Sequence, residues 1–197
     1  MIKLRQILTE SPEMSSAADI TEKELKTAKI VVNGLVKRGF DRIGAVGLAG
    51  NISVESRFKT AATDGRAEGL CQWQGKRLTA LKAFAKSKGS SYTSLSLQLD
   101  FMKYELLDSY YTNDKYISGV PKGLIFINHG GKIGYSKKKP RRDTAATTES
   151  KNYIKSITSN VSQTTKNLRK NVFRPTASLA HEDRRVANAL KINDYAK

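Results

Sequence analysis

The chain has 197 residues, 39% of them hydrophobic, and carries 35 Lys and Arg against 18 Asp and Glu, a net charge of +17. That length suits one domain with additional segments, and the charge attracts polyanions or acidic surfaces without specifying a fold. One cysteine, Cys71, excludes an intrachain disulfide, no apolar run is long enough to cross a membrane, and two histidines without clustered ligands predict neither a metal nor a cofactor.

Residues 1–18 open on the amphipathic piece Met1–Leu8, which lacks the apolar length of a secretory signal, and pass into Ser11-Pro12. They are read as an arm. Thr21-x-x-Glu24 is a capping box, and Leu25, Ala28, Val32, Leu35 and Val36 keep helical spacing until Gly39. Asp41 then caps an apolar helix with Gly44, Gly47 and Gly50 on one side. Glycines in a helix cost stability, so close packing against another segment is expected there. Glu55 closes this helix between Val54 and Phe58. Residues 59–69 are polar, with the turn signal Asp64-Gly65, and a small hairpin fits there. Leu78, Leu81, Phe84 and Ala85 mark a helix ending near Gly89, and Leu95, Leu99, Met102 and Leu106 mark the next. A short helix is expected around Leu124–Ile127, a charged linker at Lys137–Arg142, and a last helix through Ala146, Tyr153, Ile154 and Ile157. From Thr158 onward Ser, Thr, Asn and Lys dominate, with one weakly amphipathic stretch through Leu179, Val186 and Leu190. The expected architecture is an all-α domain over 19–157, with an N-terminal arm, 1–18, and a basic polar C-terminal arm, 158–197.

Glu55 is the first candidate for chemistry. A helix C-terminus and apolar neighbours both favour the acid form of a carboxyl group, which is the form a glycosidase uses as general acid. The bland alternative is a surface carboxylate paired with Arg42 or Arg57. Gln72 offers an amide donor and acceptor to sugar groups. Trp73, the single tryptophan, is a core aromatic or a sugar-stacking platform. Ser56 is a hydrogen-bonding neighbour of the acid. A second carboxyl group, if the reaction needs one, is best sought at Asp64 and then Glu68, whereas Asp100 and Glu105 lie on a helix and read as structural.

Glu55-Ser56-x-Phe58, a loop, then Gly69-Leu70-x-Gln72-Trp73 resembles the phage tail lysozyme family. It is also similar to the pattern of goose-type lysozymes and lytic transglycosylases. The resemblance extends through Leu95–Leu106 and covers roughly residues 25–157. It implies a lysozyme-like helical fold and cleavage of the β-1,4 bond between N-acetylmuramic acid and N-acetylglucosamine in peptidoglycan. Glu55 is implied as the acid, with Asp64 a candidate second carboxylate and Gln72, Trp73 and Ser56 on the substrate side. Transglycosylases of this kind work with one glutamate. The segment Phe126–Gly131 is faintly similar to their Asn-Ala-Gly segment but departs at the alanine. With no secretory signal read, the resemblance implies a virion enzyme of the tail or baseplate, docked to other virion proteins by its arms. The rival readings are an inert virion protein with a lysozyme-like domain, a lysis endolysin, and a basic nucleic-acid-binding protein. The last lacks a reading motif, and its charge is spread along the chain.

Overall fold

The computed structural model describes residues 18–108, 144–173 and 181–197. Residues 1–17, the helix expected near Leu124–Ile127, the Phe126–Gly131 segment and the Lys137–Arg142 linker lie outside these. The described residues are mainly helical, with one small sheet. Helix α1 is Glu22–Lys37 and α2 is Arg42–Glu55. Strands β1, Ala67–Glu68, and β2, Trp73–Gln74, form a hairpin that turns through residues 69–72, pairing Ala67 with Gln74 and Glu68 with Trp73, while the Asp64-Gly65 turn, the expected place of the hairpin, carries an isolated bridge between Thr63 and Glu68. Then follow α3, Gly75–Ser87, and α4, Leu95–Lys103, which continues as a π-helical turn over Tyr104–Asp108. Helix α5 is Thr144–Ser156, α6 is Val161–Leu168 with a second π-helical turn over Arg169–Phe173, and α7 is Glu182–Tyr195.

Local sequence explains the helix ends. Thr21 Oγ1 accepts from Glu24 N–H, and the Glu24 carboxylate accepts from Thr21 N–H at 2.8 Å, which closes the capping box. Asp41 Oδ1 accepts from Ile43 N–H at 2.8 Å and from Gly44 N–H at 3.2 Å. The stripe of α1 is slightly rotated from the expected one: Val31 is buried and Val36 is exposed.

Helix α2 is the axis of the fold. Every residue from Gly44 to Ser53 is buried, as in a helix covered on all sides. Its three glycines each meet a different helix. Gly44 lies under Tyr153 of α5 and Ile157 just beyond it, Gly47 under Thr164 and Leu168 of α6, and Gly50 under Arg185 and Ala189 of α7. The close packing expected from the glycine spacing is therefore present, and it is made largely by the C-terminal part of the chain.

That packing corrects the expectation of a C-terminal arm from residue 158. Leu168, Val172, Val186, Ala189 and Ile192 are buried in the core. So are Thr164, Thr165, Arg185 and Asn188. Composition alone misses such a layer, because some of its buried groups are polar, and Arg185 and Asn188 among them find their partners far away in sequence, at Asn51 and Ser53. A second part of the core is aromatic: Trp73, Phe84, Phe101 and Tyr104 stack or meet edge-on, with centroids 5.4–6.0 Å apart.

Candidate active site

Glu55 is the last residue of α2, as its position after the apolar run implies. Ser56 caps the helix: its N–H donates to Ile52 O, its Oγ lies 3.4 Å from the same carbonyl, and its side chain is buried. Ser56 thus supports the helix end and presents no group to a ligand. The chain then turns through two consecutive left-handed residues, Arg57 at φ 50° and Phe58 at φ 61°. Such a conformation costs about 1–3 kcal/mol at each non-glycine position and persists only where the surroundings enforce it. Here Arg57 is gripped by Glu24 at 2.7 and 3.2 Å and by Asp19 at 3.3 Å, while Phe58 is buried. Partial burial works against the Glu24 charge, but the Arg57 and Thr21 hydrogen bonds prevail and hold its carboxyl below the usual range.

Arg57 is therefore not the partner of Glu55. That partner is Arg185 of α7, whose Nη1 lies 2.9 Å from Glu55 Oε1. The same Nη1 donates to Asn51 O at 3.3 Å and to Asn51 Oδ1 at 3.2 Å. Asn51 is itself fixed, its Nδ2 donating to Gly47 O at 2.9 Å and to Thr165 O at 3.1 Å. Arg185 is 3% exposed, and burial pulls its pKa down against the opposing pull of the Glu55 charge. The purely apolar surroundings expected for Glu55 are thus corrected: one of its oxygens faces a buried cation. Oε1 is shut off from solvent and meets Arg185 as an ion pair without hydrogen-bond geometry, whereas Oε2 makes no hydrogen bond and no closer ion pair among the described residues.

The second half of the motif wraps into the hairpin. Gly69 has φ 80°, and Leu70 N–H donates to Gln98 Oε1 at 2.9 Å. Gln72 sits at φ 48°, so all three left-handed non-glycine residues among those described fall in the two motif halves. Gln72 is half-buried, and its Nε2 donates to Gly69 O at 2.9 Å and Ala62 O at 3.3 Å. Its amide nitrogen holds the loop, and its Oε1 accepts no hydrogen bond among the described residues. Cys71 is a buried free thiol, raised well above its ordinary pKa by burial, and the Glu55 charge acts on it too.

Trp73 is fully buried. Its Nε1–H donates to Glu105 Oε2 at 3.2 Å, and its ring meets Phe101 edge-on. Of the two roles open to it, it occupies the core one, and it offers no ring face for a sugar. Glu105 in turn takes both arms of Arg77, at 2.7 and 2.8 Å. Burial disfavours the Arg77 charge, yet Glu105 more than offsets this and its pKa is raised. The structural reading of Glu105 holds.

Each alternative second carboxylate is engaged. Asp64 is exposed, and its Oδ1 accepts from Ala67 N–H at 2.7 Å and Arg66 N–H at 2.8 Å. These backbone bonds hold its carboxyl below the usual range. Glu68 pairs with Lys82 and Asp100 with Arg38, both at 2.8 Å. Among the described residues no cluster of three or more His, Cys, Asp or Glu could hold a metal, and no helix is long and apolar enough to cross a membrane. A shallow cavity of about 500 Å³ between α3 and α4, lined by Phe84, Ser94, Asp100 and Tyr104, contains none of the motif residues. Sequence reasoning missed Arg185 and Asn51. Asn51 stands one helical turn before Glu55, which is a usable hint; nothing local marks Arg185.

The model of the family described as phage tail lysozyme matches residues 26–195. Neither a curated protein nor a solved structure matches the chain. The family match runs from α1 to the end of α7 and so takes in the two C-terminal helices that pack on α2. By a match over nearly its whole length, the chain belongs to the phage tail lysozyme family.

Proposed function

We propose that this protein is a virion-associated enzyme that cleaves the β-1,4 bond between N-acetylmuramic acid and N-acetylglucosamine and opens the cell wall locally at genome entry. Family membership supports the substrate class and the phage context. The observation that carries the assignment of the acid is the end of α2: Glu55 is followed by enforced left-handed backbone, one of its oxygens is held, and the other makes no hydrogen bond among the described residues. Oε2 gives its proton to the glycosidic oxygen as the bond from the muramic acid C1 breaks. The carboxylate so formed then takes a proton from attacking water, or from the muramic acid 6-hydroxyl if an anhydro ring closes. Gln72 Oε1 accepts from a sugar hydroxyl or an N-acetyl N–H. Asp64, committed to its turn, is not the second acid in this scheme, which runs on one glutamate and the substrate's own acetamido group.

General acid–base catalysis contributes typically about 10²–10⁴-fold, and Glu55→Gln keeps the shape of the side chain without a proton to give. The variant is expected to lose activity of that order on purified peptidoglycan while its circular dichroism stays wild-type. Asp64→Asn is expected to lose far less. Mass spectrometry of the digest assigns the outcome, a reducing end for hydrolysis and a 1,6-anhydro end for transglycosylation. A folded Glu55→Gln protein that still clears peptidoglycan at the wild-type rate removes the assignment. The ion pair to Arg185 is the one observation that favours an inert virion protein, and a wild-type digest without cleaved glycan decides for it.

A further inference from the structure

We propose that Arg185 is a positioning residue for Glu55: its buried guanidinium holds Oε1, so that Oε2 is the single oxygen presented to the glycan. The proposal rests on the assignment of Glu55 as the acid. Three observations carry it. Arg185 Nη1 is 2.9 Å from Oε1, and the arginine is 3% exposed, so the contact is shielded from solvent. The guanidinium cannot swing away, because Nη1 also bonds Asn51 O and Oδ1, and Asn51 is tied to Gly47 O and Thr165 O. Oε1 is buried, yet the Glu55 side chain keeps 16% of its exposure, and Oε2 makes no hydrogen bond among the described residues.

Arg185 thereby fixes the last torsion of Glu55, which decides where the proton is aimed. It also faces the charge that grows on the carboxylate as the proton leaves, where a preorganised cation acts most strongly. The other groups in electrical reach are Cys71, held in its neutral form by burial, the Arg77–Glu105 pair acting on Cys71, and Arg169, which acts on Arg185. Stability alone is a weak reason for such a contact, since a buried ion pair is often no better than an apolar replacement.

The test compares Arg185→Met, Arg185→Lys and Asn188→Ala in the full chain. Asn188 ties the same helix to α2 through Ser53 Oγ at 2.9 Å and to Asp19 at 3.0 Å without touching Glu55, so it reports the anchoring of α7 with the guanidinium left in place and with Arg57 still held by Glu24. A misplacement of about 1 Å can cost on the order of 10²-fold, and Arg185→Met is expected to lose roughly that much kcat on peptidoglycan with KM little changed. Arg185→Lys is expected to fall between, because an ammonium cannot reproduce the guanidinium fork. Asn188→Ala is expected to melt earlier and keep its kcat. If the Met variant does not fold, the Lys variant decides, and wild-type kcat in it overturns the proposal. So does a loss of kcat that Asn188→Ala reproduces. Neither result touches the Glu55 assignment, which Glu55→Gln tests separately. A crystal structure of Arg185→Met needs no turnover. Loss of the guanidinium is expected to leave the Glu55 carboxylate in more than one orientation, and a single orientation unchanged from wild type overturns the proposal even where wild-type digests show no cleavage.

Discussion

At the scale of single residues, the motif positions divide by what their polar atoms already hold. Trp73 illustrates the division. Its indole N–H is used by Glu105, and its ring is closed in by Phe101, so a role on the glycan side has no atom left to carry it. Trp73→Phe keeps an aromatic body but removes that donor. A hydrogen bond to a charged group is worth about 1.5–3 kcal/mol, and the variant is expected to lose that much stability by denaturant titration. Because Trp73 is the single tryptophan, its emission tests this placement directly. It is expected not to shift at saturating chitooligosaccharide, and a shift on sugar binding would return the ring to the substrate. Gln72 differs from it: its amide nitrogen is spent on the loop, and its Oε1 accepts no hydrogen bond among the described residues.

At the scale of elements, the contact between α2 and α7 decides the geometry of Glu55. A Cβ at Gly50 would stand 2.5 Å from Ala189 Cβ and 2.8 Å from Arg185 O. Neither atom can rotate aside, so the two helices must part. Gly→Ala gains about 1 kcal/mol of helix propensity, but forced overpacking typically costs about 1–3 kcal/mol. Gly50→Ala is therefore expected to be destabilised on balance, with a lower denaturant midpoint, and to draw Arg185 away from Glu55. At Gly47 the nearest atoms, at 3.0 Å, are the methyl ends of Leu168 and Thr164, which can give way. Gly47→Ala is expected to cost less. Equal midpoints for the two variants would show that α7 yields as readily as α6. The π-helical turn after α4 serves the neighbouring pair in the same way. It carries Glu105 towards Arg77 and Trp73, while Ser150 Oγ donates to the Glu105 carbonyl at 2.7 Å.

At the scale of the whole molecule, the C-terminal helices are part of the domain. Removing residues 158–197 uncovers the α2 glycine face and deletes Leu168, Val172, Val186 and Ile192 from the core. Burial of a large aliphatic side chain contributes about 1.5–3 kcal/mol, and four of them approach the total of about 5–15 kcal/mol that keeps a domain folded. A fragment ending at Ile157 is expected to show no cooperative thermal transition. A sharp transition near the wild-type temperature would restore the picture of a detachable C-terminal arm. The same packing means that docking to other virion proteins cannot be assigned to residues 158–173 and 181–197 on the ground that they lack a partner within the chain.

Much of this protein was decided within short stretches of sequence. The capping box at Thr21, the Asp41 cap, the glycine spacing in α2, the Asp64-Gly65 turn and the two motif halves all depend on neighbours a few residues apart, and all are read directly from the chain. The partners of Glu55, the place of Trp73 and the extent of the domain were decided only in three dimensions. Arg185 and Asn51 are 134 positions apart, and nothing local distinguishes Arg185 from the other basic residues of a strongly basic chain. The C-terminal core is built from Thr164, Thr165, Arg185 and Asn188 as well as from aliphatic residues. Thr164 and Thr165 place their hydroxyls on nearby groups, but Arg185 and Asn188 become core material only because Asn51, Ser53 and Asp19, distant in sequence, satisfy them, and those partners are supplied by the tertiary fold.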